Sequence, residues 1–202
     1  MARKGILFVI SGPSGTGKGT VLKEVFKNIE NLHYSVSATT REPRNGEKEG
    51  INYYFISKEK FDYMVNNGEM LEYVTKFTNW YGTPKQAVED KLNEGKDVIL
   101  EIETIGANNV QKTMKECISI FIAPPSLKEL WERLDGRNTE VESKKMIRFE
   151  TSREELLSAY NYDYVVINDI VTECAKKVVN IIEAERCKVI RNKEVIEKIL
   201  LN

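Results

Sequence analysis

The chain has 202 residues, 41% of them hydrophobic, with 30 basic and 31 acidic side chains. That is core material for one α/β domain with smaller inserted pieces. A net charge of −1 argues against a nucleic-acid or anionic-membrane surface as the main partner, and no apolar run reaches the ~18 residues of a membrane helix. Basic residues are concentrated locally instead, which suits a small anionic ligand. A monomer and a homo-oligomer both fit this composition. Met1-Ala2-Arg3-Lys4 leads straight into an apolar run and leaves no room for a signal peptide, so a cytoplasmic location is expected. The cysteines, Cys117, Cys174 and Cys187, are widely spaced and form no metal-type pair, which predicts reduced packing residues. His33 is expected in a loop before a strand, without the partner group that would make it a site.

The apolar run 5–10 predicts a first strand. Gly12-Pro13-Ser14-Gly15-Thr16-Gly17-Lys18-Gly19-Thr20 follows, and a helix is expected to start at Val21-Leu22. Strand, glycine-rich turn and helix start together make a phosphate-binding loop. The glycines let the backbone curl until successive N–H groups point at one anion. The helix adds its positive N-terminal end, and Lys18 is placed to reach the outer phosphates of a nucleoside triphosphate. Gly19 stands where the strict pattern has Ser or Thr, so the hydroxyl near a metal would come from Thr20.

Residues 35–82 break the alternation of strand and helix. They hold a polar loop at 39–50, aromatic runs at 53–56 and 70–74, and a helix from about 58 to 67 that ends at Asn67-Gly68. This pattern predicts a small α+β insert. In its loop, Arg41 and Arg44 flank Pro43 and can converge on one phosphate, because guanidinium groups pair their hydrogen bonds to phosphate oxygens. Tyr53 and Tyr81 would add hydroxyl donors. The competing reading of this loop is ordinary solvated charge.

Thr83-Pro84-Lys85-Gln86 offers an N-cap, a first-turn proline and a capping-box glutamine, with Gly95 as the stop. Apolar runs at 98–102, 118–123 and 164–167 read as buried parallel strands. Glu101 and Glu103 lie two apart at the end of the first of these, which would put both on one side of a strand. Ser126-Leu127-Lys128-Glu129 is a second capping box, and Thr139-Glu140-Val141-Glu142 a third, opening a helix to about Ser158. Residues 171–200 are helical in pattern. Strands alternating with helices imply right-handed crossovers and a parallel sheet.

The run Ser35-Val36-Ser37-Ala38-Thr39-Thr40-Arg41-Glu42-Pro43-Arg44-Asn45-Gly46-Glu47 resembles the nucleotide-acceptor signature of guanylate kinases, and the phosphate loop has their form. Further matches are Gly50-Ile51-Asn52-Tyr53, Glu69-Met70-Leu71-Glu72, Trp80-Tyr81-Gly82-Thr83-Pro84, Phe121-Ile122-Ala123-Pro124-Pro125-Ser126, Arg133-Leu134-Asp135-Gly136-Arg137 and Val166-Ile167-Asn168-Asp169. The likeness spans about residues 5–185 in order.

The resemblance implies a P-loop NTPase-type parallel sheet flanked by helices, with a small α+β acceptor insert and a helical lid. The core would be about 1–34, 84–131 and 159–202, the GMP-binding insert about 35–83, and the lid about 132–158. It implies transfer of the terminal phosphate of ATP to GMP or dGMP, with magnesium. Residues 12–20, Arg133, Arg137 and Asn168 would bind ATP. Ser37, Arg41, Arg44, Tyr53, Glu72, Tyr81, Thr83, Glu101, Glu103 and Arg148 would bind GMP. Lys18, Arg44, Arg137 and Arg148 would be catalytic, and Thr20 and Glu101 would face the metal. Glu72 makes chemical sense in that role: guanine offers adjacent N1–H and N2–H₂ donors to a carboxylate, and adenine does not. A phosphate oxygen is already anionic near neutral pH, so the reaction needs positioning and charge neutralisation more than a base.

The chain departs from the family pattern at Glu103, usually Asp, and Ile105, usually Gln. It departs also at Asn138, Ile147 and Ile170. Two other functions stay open at this point. One is a peptide-binding module of the same fold, which Lys18 and the intact glycines oppose. The other is a related kinase with a different acceptor, which Glu72 with Thr83 opposes.

Overall fold

The computed structural model describes residues 3–76, 78–135 and 142–201. In chain order, β1 (Leu7–Ser11) leads into α1 (Lys18–Val25) and β2 (Leu32–Tyr34). Then come β3 (Ala38–Thr39), β4 (Tyr54–Phe55), α2 (Lys58–Asn66), β5 (Met70–Lys76) and β6 (Asn79–Pro84). The chain continues through α3 (Lys85–Asn93), β7 (Asp97–Glu101), α4 (Thr104–Thr113), β8 (Ile118–Ala123) and α5 (Leu127–Asp135). It finishes with α6 (Glu142–Leu157), β9 (Tyr164–Ile167), α7 (Val171–Arg186) and α8 (Lys193–Leu201).

The main sheet is parallel throughout, in the order β2-β7-β1-β8-β9. Its central strands are apolar on both faces because helices cover both. Phe8, Ile10, Ile99, Ile120 and Ile122 meet Val21, Leu22 and Val25 of α1 and Val178 and Ile182 of α7. Leu7, Val9, Val98 and Leu100 face the other way, against Val88 and Leu92 of α3 and Ala107 and Val110 of α4. Successive residues of β1 thus serve opposite layers, as strand geometry requires.

Asp97 pins the floor of this sheet. Its fully buried carboxylate accepts from two Arg3 nitrogens at 2.8 and 2.9 Å, from Arg186 Nε at 2.7 Å, and from the Ile6 N–H at 2.8 Å. Burial opposes its charge, but these donors outweigh it and hold the carboxyl below its usual range.

A second sheet, in the order β4-β3-β6-β5, carries the antiparallel pair β5–β6. The register slips between Met70 and Glu72, and the slip sets Glu72 directly opposite Thr83. Phe61 of α2 is fully buried, with its ring 5.9 Å from Trp80.

Several local expectations need correction. The helix after the phosphate loop begins at Lys18, earlier than Val21, because Gly17 itself caps it. His33 lies within a strand. Thr83 is no helix cap: α3 starts at Lys85, and the Thr83 hydroxyl is engaged elsewhere. The strand carrying Glu101 ends there, and Glu103 precedes α4 with φ −73° and ψ 161°, so the two carboxylates do not share a strand face. The 171–200 segment is two helices, broken at Cys187 and Lys188 and by a short 3₁₀ turn, Val189–Arg191. The Ser126 cap holds, with the Glu129 N–H donating to Ser126 Oγ at 3.1 Å. The cap signal at 139–141 lies outside the described residues.

Candidate active site

Where β1, β2 and β7 end, the chain opens into a cavity of about 480 Å³ that reaches across to the second sheet. Gly12, Ser14, Lys18, Glu101 and Glu103 stand on the main-sheet side. Ser37, Arg41, Arg44, Tyr53, Glu72 and Tyr81 stand on the other. Eleven residues singled out from the sequence therefore line one space.

The phosphate loop is shaped by what it passes. Gly12 has φ 147°, and a Cβ there would lie 2.1 Å from the Ile122 carbonyl oxygen, so only glycine lets the loop clear β8. Gly17, with φ 81°, caps α1 without a side-chain cap, which leaves first-turn N–H groups for a ligand. Pro13 O accepts from the Thr16 hydroxyl at 2.9 Å. Asn168, itself buried, donates from Nδ2 to Thr16 O at 2.6 Å, and Arg133 Nη1 donates to Asn168 O at 2.8 Å. Leu134 covers Gly15. The helix α6 also reaches the loop: Arg148 Nη2 donates to Ser14 Oγ at 2.9 Å, and Ser152 Oγ to Ser14 O at 3.4 Å. Arg133, Arg148 and Asn168 thus meet at the loop but outside the cavity wall, whereas Arg137 lies outside the described residues.

Lys18 donates to the carbonyls of Gly12 and Pro13, the latter at 2.9 Å. Burial lowers its pKa, and Glu101 and Glu155 oppose that shift. Across the cavity, Arg41 is held by both oxygens of Glu47 at 2.9 Å and lies over the Tyr53 ring, 5.5 Å from its centroid. Burial works against the Arg41 charge, but its hydrogen bonds to Glu47 and Tyr81 outweigh it and raise the pKa. Arg44 is exposed, and its backbone N–H donates to Glu47 at 2.8 Å. The Tyr53 and Tyr81 rings pack edge to face at 6.0 Å.

Glu72 is 5% exposed, and its Oε1 accepts from the Thr83 hydroxyl at 2.7 Å. The hydrogen bond follows from the cross-strand register, since directly opposed residues share a sheet face. Burial pushes the Glu72 carboxyl up to about 7; Thr83 opposes the shift and Glu103 adds to it. Glu103 itself is ion-paired with Lys76.

The Glu101 carboxylate accepts from the Tyr34 hydroxyl at 3.1 Å and faces the first turn of α1. A Cβ at Gly19 would lie 3.7 and 3.8 Å from its two oxygens. Among the described residues no three His, Cys, Asp or Glu side chains form a metal cage. A single carboxylate beside a phosphate loop fits an outer contact to a hydrated magnesium ion. Thr20 is exposed and stands outside the cavity wall.

The sequence reading passed over Tyr34, Glu47, Lys76 and Glu155, all of which line the cavity. Lys76 had a signal, since 72, 74 and 76 alternate onto one face of β5. Glu155 had another, since 148, 152 and 155 recur at helical spacing on α6. Tyr34 and Glu47 gave no local sign. Of the departures from the family pattern, Ile105, Ile147 and Ile170 are all exposed.

A glycine-rich phosphate loop joining β1 to α1 of a parallel sheet, facing an arginine-bearing insert, defines a P-loop kinase fold. The guanylate kinase family model matches residues 4–185. Guanylate kinases of Clostridioides difficile and Clostridium tetani are 48% and 50% identical to the chain. The alignments cover 96% and 95% of the chain, and 95% and 91% of those relatives. The crystal structure of guanylate kinase from Anaplasma phagocytophilum superposes with a TM-score of 0.78 at 36% identity, covering 96% of this chain and 95% of that one. The chain belongs to the guanylate kinase family. The crystal structure of TT1252 from Thermus thermophilus, at 14% identity and a TM-score of 0.52, shares the fold.

Proposed function

We propose that this chain transfers the terminal phosphate of ATP to GMP or dGMP, giving ADP and GDP or dGDP. The observation that carries the reading is Glu72, buried and hydrogen-bonded to Thr83, lining the same cavity as Lys18 and Arg41. A buried carboxylate with a raised pKa is costly for the fold, and a base offering two adjacent N–H donors gives it partners. Family membership supports the same reaction.

On this reading the main sheet with its helices is the core, residues 35–83 are the acceptor insert and 132–158 the lid. The insert would hold GMP by its phosphate on Arg41, Arg44, Tyr53 and Tyr81, and by its base on Glu72, Thr83 and Ser37. The loop N–H groups and Lys18 would hold the outer phosphates of ATP, with Arg133, Arg148 and Asn168 at the loop's outer side. A GMP phosphate oxygen attacks the γ-phosphorus, and the bond from that phosphorus to the β–γ bridging oxygen breaks. The oxygen that attacks is already ionised, so the protein's task is to bring two anions into line and spread the charge over Lys18 and arginines. Lys18 would exchange the Gly12 and Pro13 carbonyls for phosphate oxygens. Glu101 would hold magnesium through water, and the metal would supply neutralisation of phosphate charge; Thr20, outside the cavity wall, is not placed for that role.

No helix among the described residues is long and apolar enough to cross a membrane, and the reading places the reaction in the cytoplasm. The test is ADP formation from ATP and Mg²⁺ with GMP, dGMP, AMP, UMP and CMP offered as acceptors. Turnover confined to GMP and dGMP is expected. Equal turnover with AMP would sink the guanine assignment, and no turnover with any acceptor in folded protein would sink the reaction itself.

A further inference from the structure

We infer that Gly106 is a positioning residue for the guanine-reading carboxylate: its missing side chain is the space that Glu72 occupies. The inference rests on the reading of Glu72 given above.

Gly106 lies in the first turns of α4, three residues after the cavity-lining Glu103. It is buried, and its backbone is not among those with positive φ. Nothing in its own conformation therefore calls for glycine, which is the poorest helix former after proline. What requires it is a neighbour. A Cβ built at Gly106 would lie 2.5 Å from Glu72 Oε2 and 3.2 Å from its Cδ, with Ile102 Cδ1 at 3.6 Å. The carboxylate cannot yield easily, because its other oxygen is held by Thr83 at 2.7 Å. Glu72 is thus gripped between a hydroxyl on its own sheet and the bare backbone of α4 at Gly106.

A carboxylate accepting from N1–H and N2–H₂ of one base must present both oxygens in the plane of the ring. A methyl group at position 106 would tilt Oε2 out of that plane or push α4 away. Either movement acts on the acceptor and spares the phosphate loop.

The test is Gly106→Ala, assayed with GMP and with IMP, whose base lacks the exocyclic amine. The KM for GMP should rise about tenfold or more, the loss of one hydrogen bond to a charged group. The KM for ATP should stay within about twofold, and the preference for GMP over IMP should shrink. Thermal midpoints supply a readout that does not depend on activity. Gly106→Ala should lower the midpoint in the native background. Alongside Glu72→Ala, where the obstruction is gone, the same change should raise it by about 3 °C through helix propensity. This sign reversal is expected even where the single variant folds poorly. A normal GMP KM in folded Gly106→Ala, or a midpoint lowered equally in both backgrounds, overturns the inference. A normal GMP KM in Glu72→Ala overturns the reading beneath it.

Discussion

The ammonium of Lys18 is folded back onto the loop that presents it, donating to the carbonyls of Gly12 and Pro13. Its charge is held where an outer phosphate would arrive, in a buried setting that lowers its pKa. Lys18→Ala removes that charge while leaving the loop glycines in place. Turnover with ATP and GMP should fall about 10²–10³-fold, the usual loss for one preorganised charge-stabilising donor. Near-normal kcat would remove the phosphate-loop account.

Arg41 and Arg44 sit differently, and the difference is testable. Arg41 is clasped by Glu47, whereas Arg44 is exposed at the cavity's edge. Arg44→Ala should raise the KM for GMP about 10–100-fold, as loss of a charged hydrogen bond does. The KM for ATP should be nearly unchanged. Steady-state kinetics with each nucleotide varied in turn will decide, and unaltered GMP kinetics would place the acceptor phosphate elsewhere.

Glu72 gives a prediction in pH. Its carboxyl lies at about 7 in the fold against an ordinary 4.5. The folded protein therefore keeps a proton that the unfolded chain releases. The stability tied to this group is complete below about 4.5 and is lost as pH rises through about 7. Glu72→Gln keeps an acceptor for Thr83 and removes the charge. It should match the native protein near pH 4.5 and be the more stable above about pH 8, by at most about 3 kcal/mol. Urea melts of both proteins across that range test this, and a pH-independent difference would contradict it.

The placement of Glu101 beside Gly19 predicts a metal dependence. Chelation with EDTA should abolish ADP formation, and added Mg²⁺ should restore it. Glu101→Gln should raise the Mg²⁺ concentration needed for half-maximal rate by about tenfold, within the range for a lost charged contact. An unchanged magnesium requirement would take Glu101 out of that role.

Much of the fold was legible because the main sheet is buried on both faces. The apolar runs at 118–123 and 164–167 coincide with β8 and β9 to the residue. Glycine and capping signals marked several helix ends for local reasons: Asn67 and Gly68 close α2, and Gly95 follows α3 with φ 81°. What failed was non-local. Thr83 reads as a helix cap until β5 is laid beside it, because a threonine hydroxyl before a proline looks the same whether it caps or crosses to Glu72. The Tyr34–Glu101 and Lys76–Glu103 pairs join residues far apart in sequence, and no periodicity announces them. The 171–200 stretch looked continuous because Cys187 and Lys188 carry no helix-breaking side chain, yet the chain turns there.

The cavity's two walls hang from separate sheets, and that has a consequence for how such a molecule diversifies. On the proposed reading, the loop glycines and Lys18 are fixed by β8 and α1, while Glu72, which would read the base, is fixed by the register of β5 against β6. A mutation that shifts that register would move Glu72 while leaving the phosphate loop in place. New base preferences are therefore expected to arise by changes in the β5–β6 pair, with Gly106 of α4, against which Glu72 packs, as the position that must change in step.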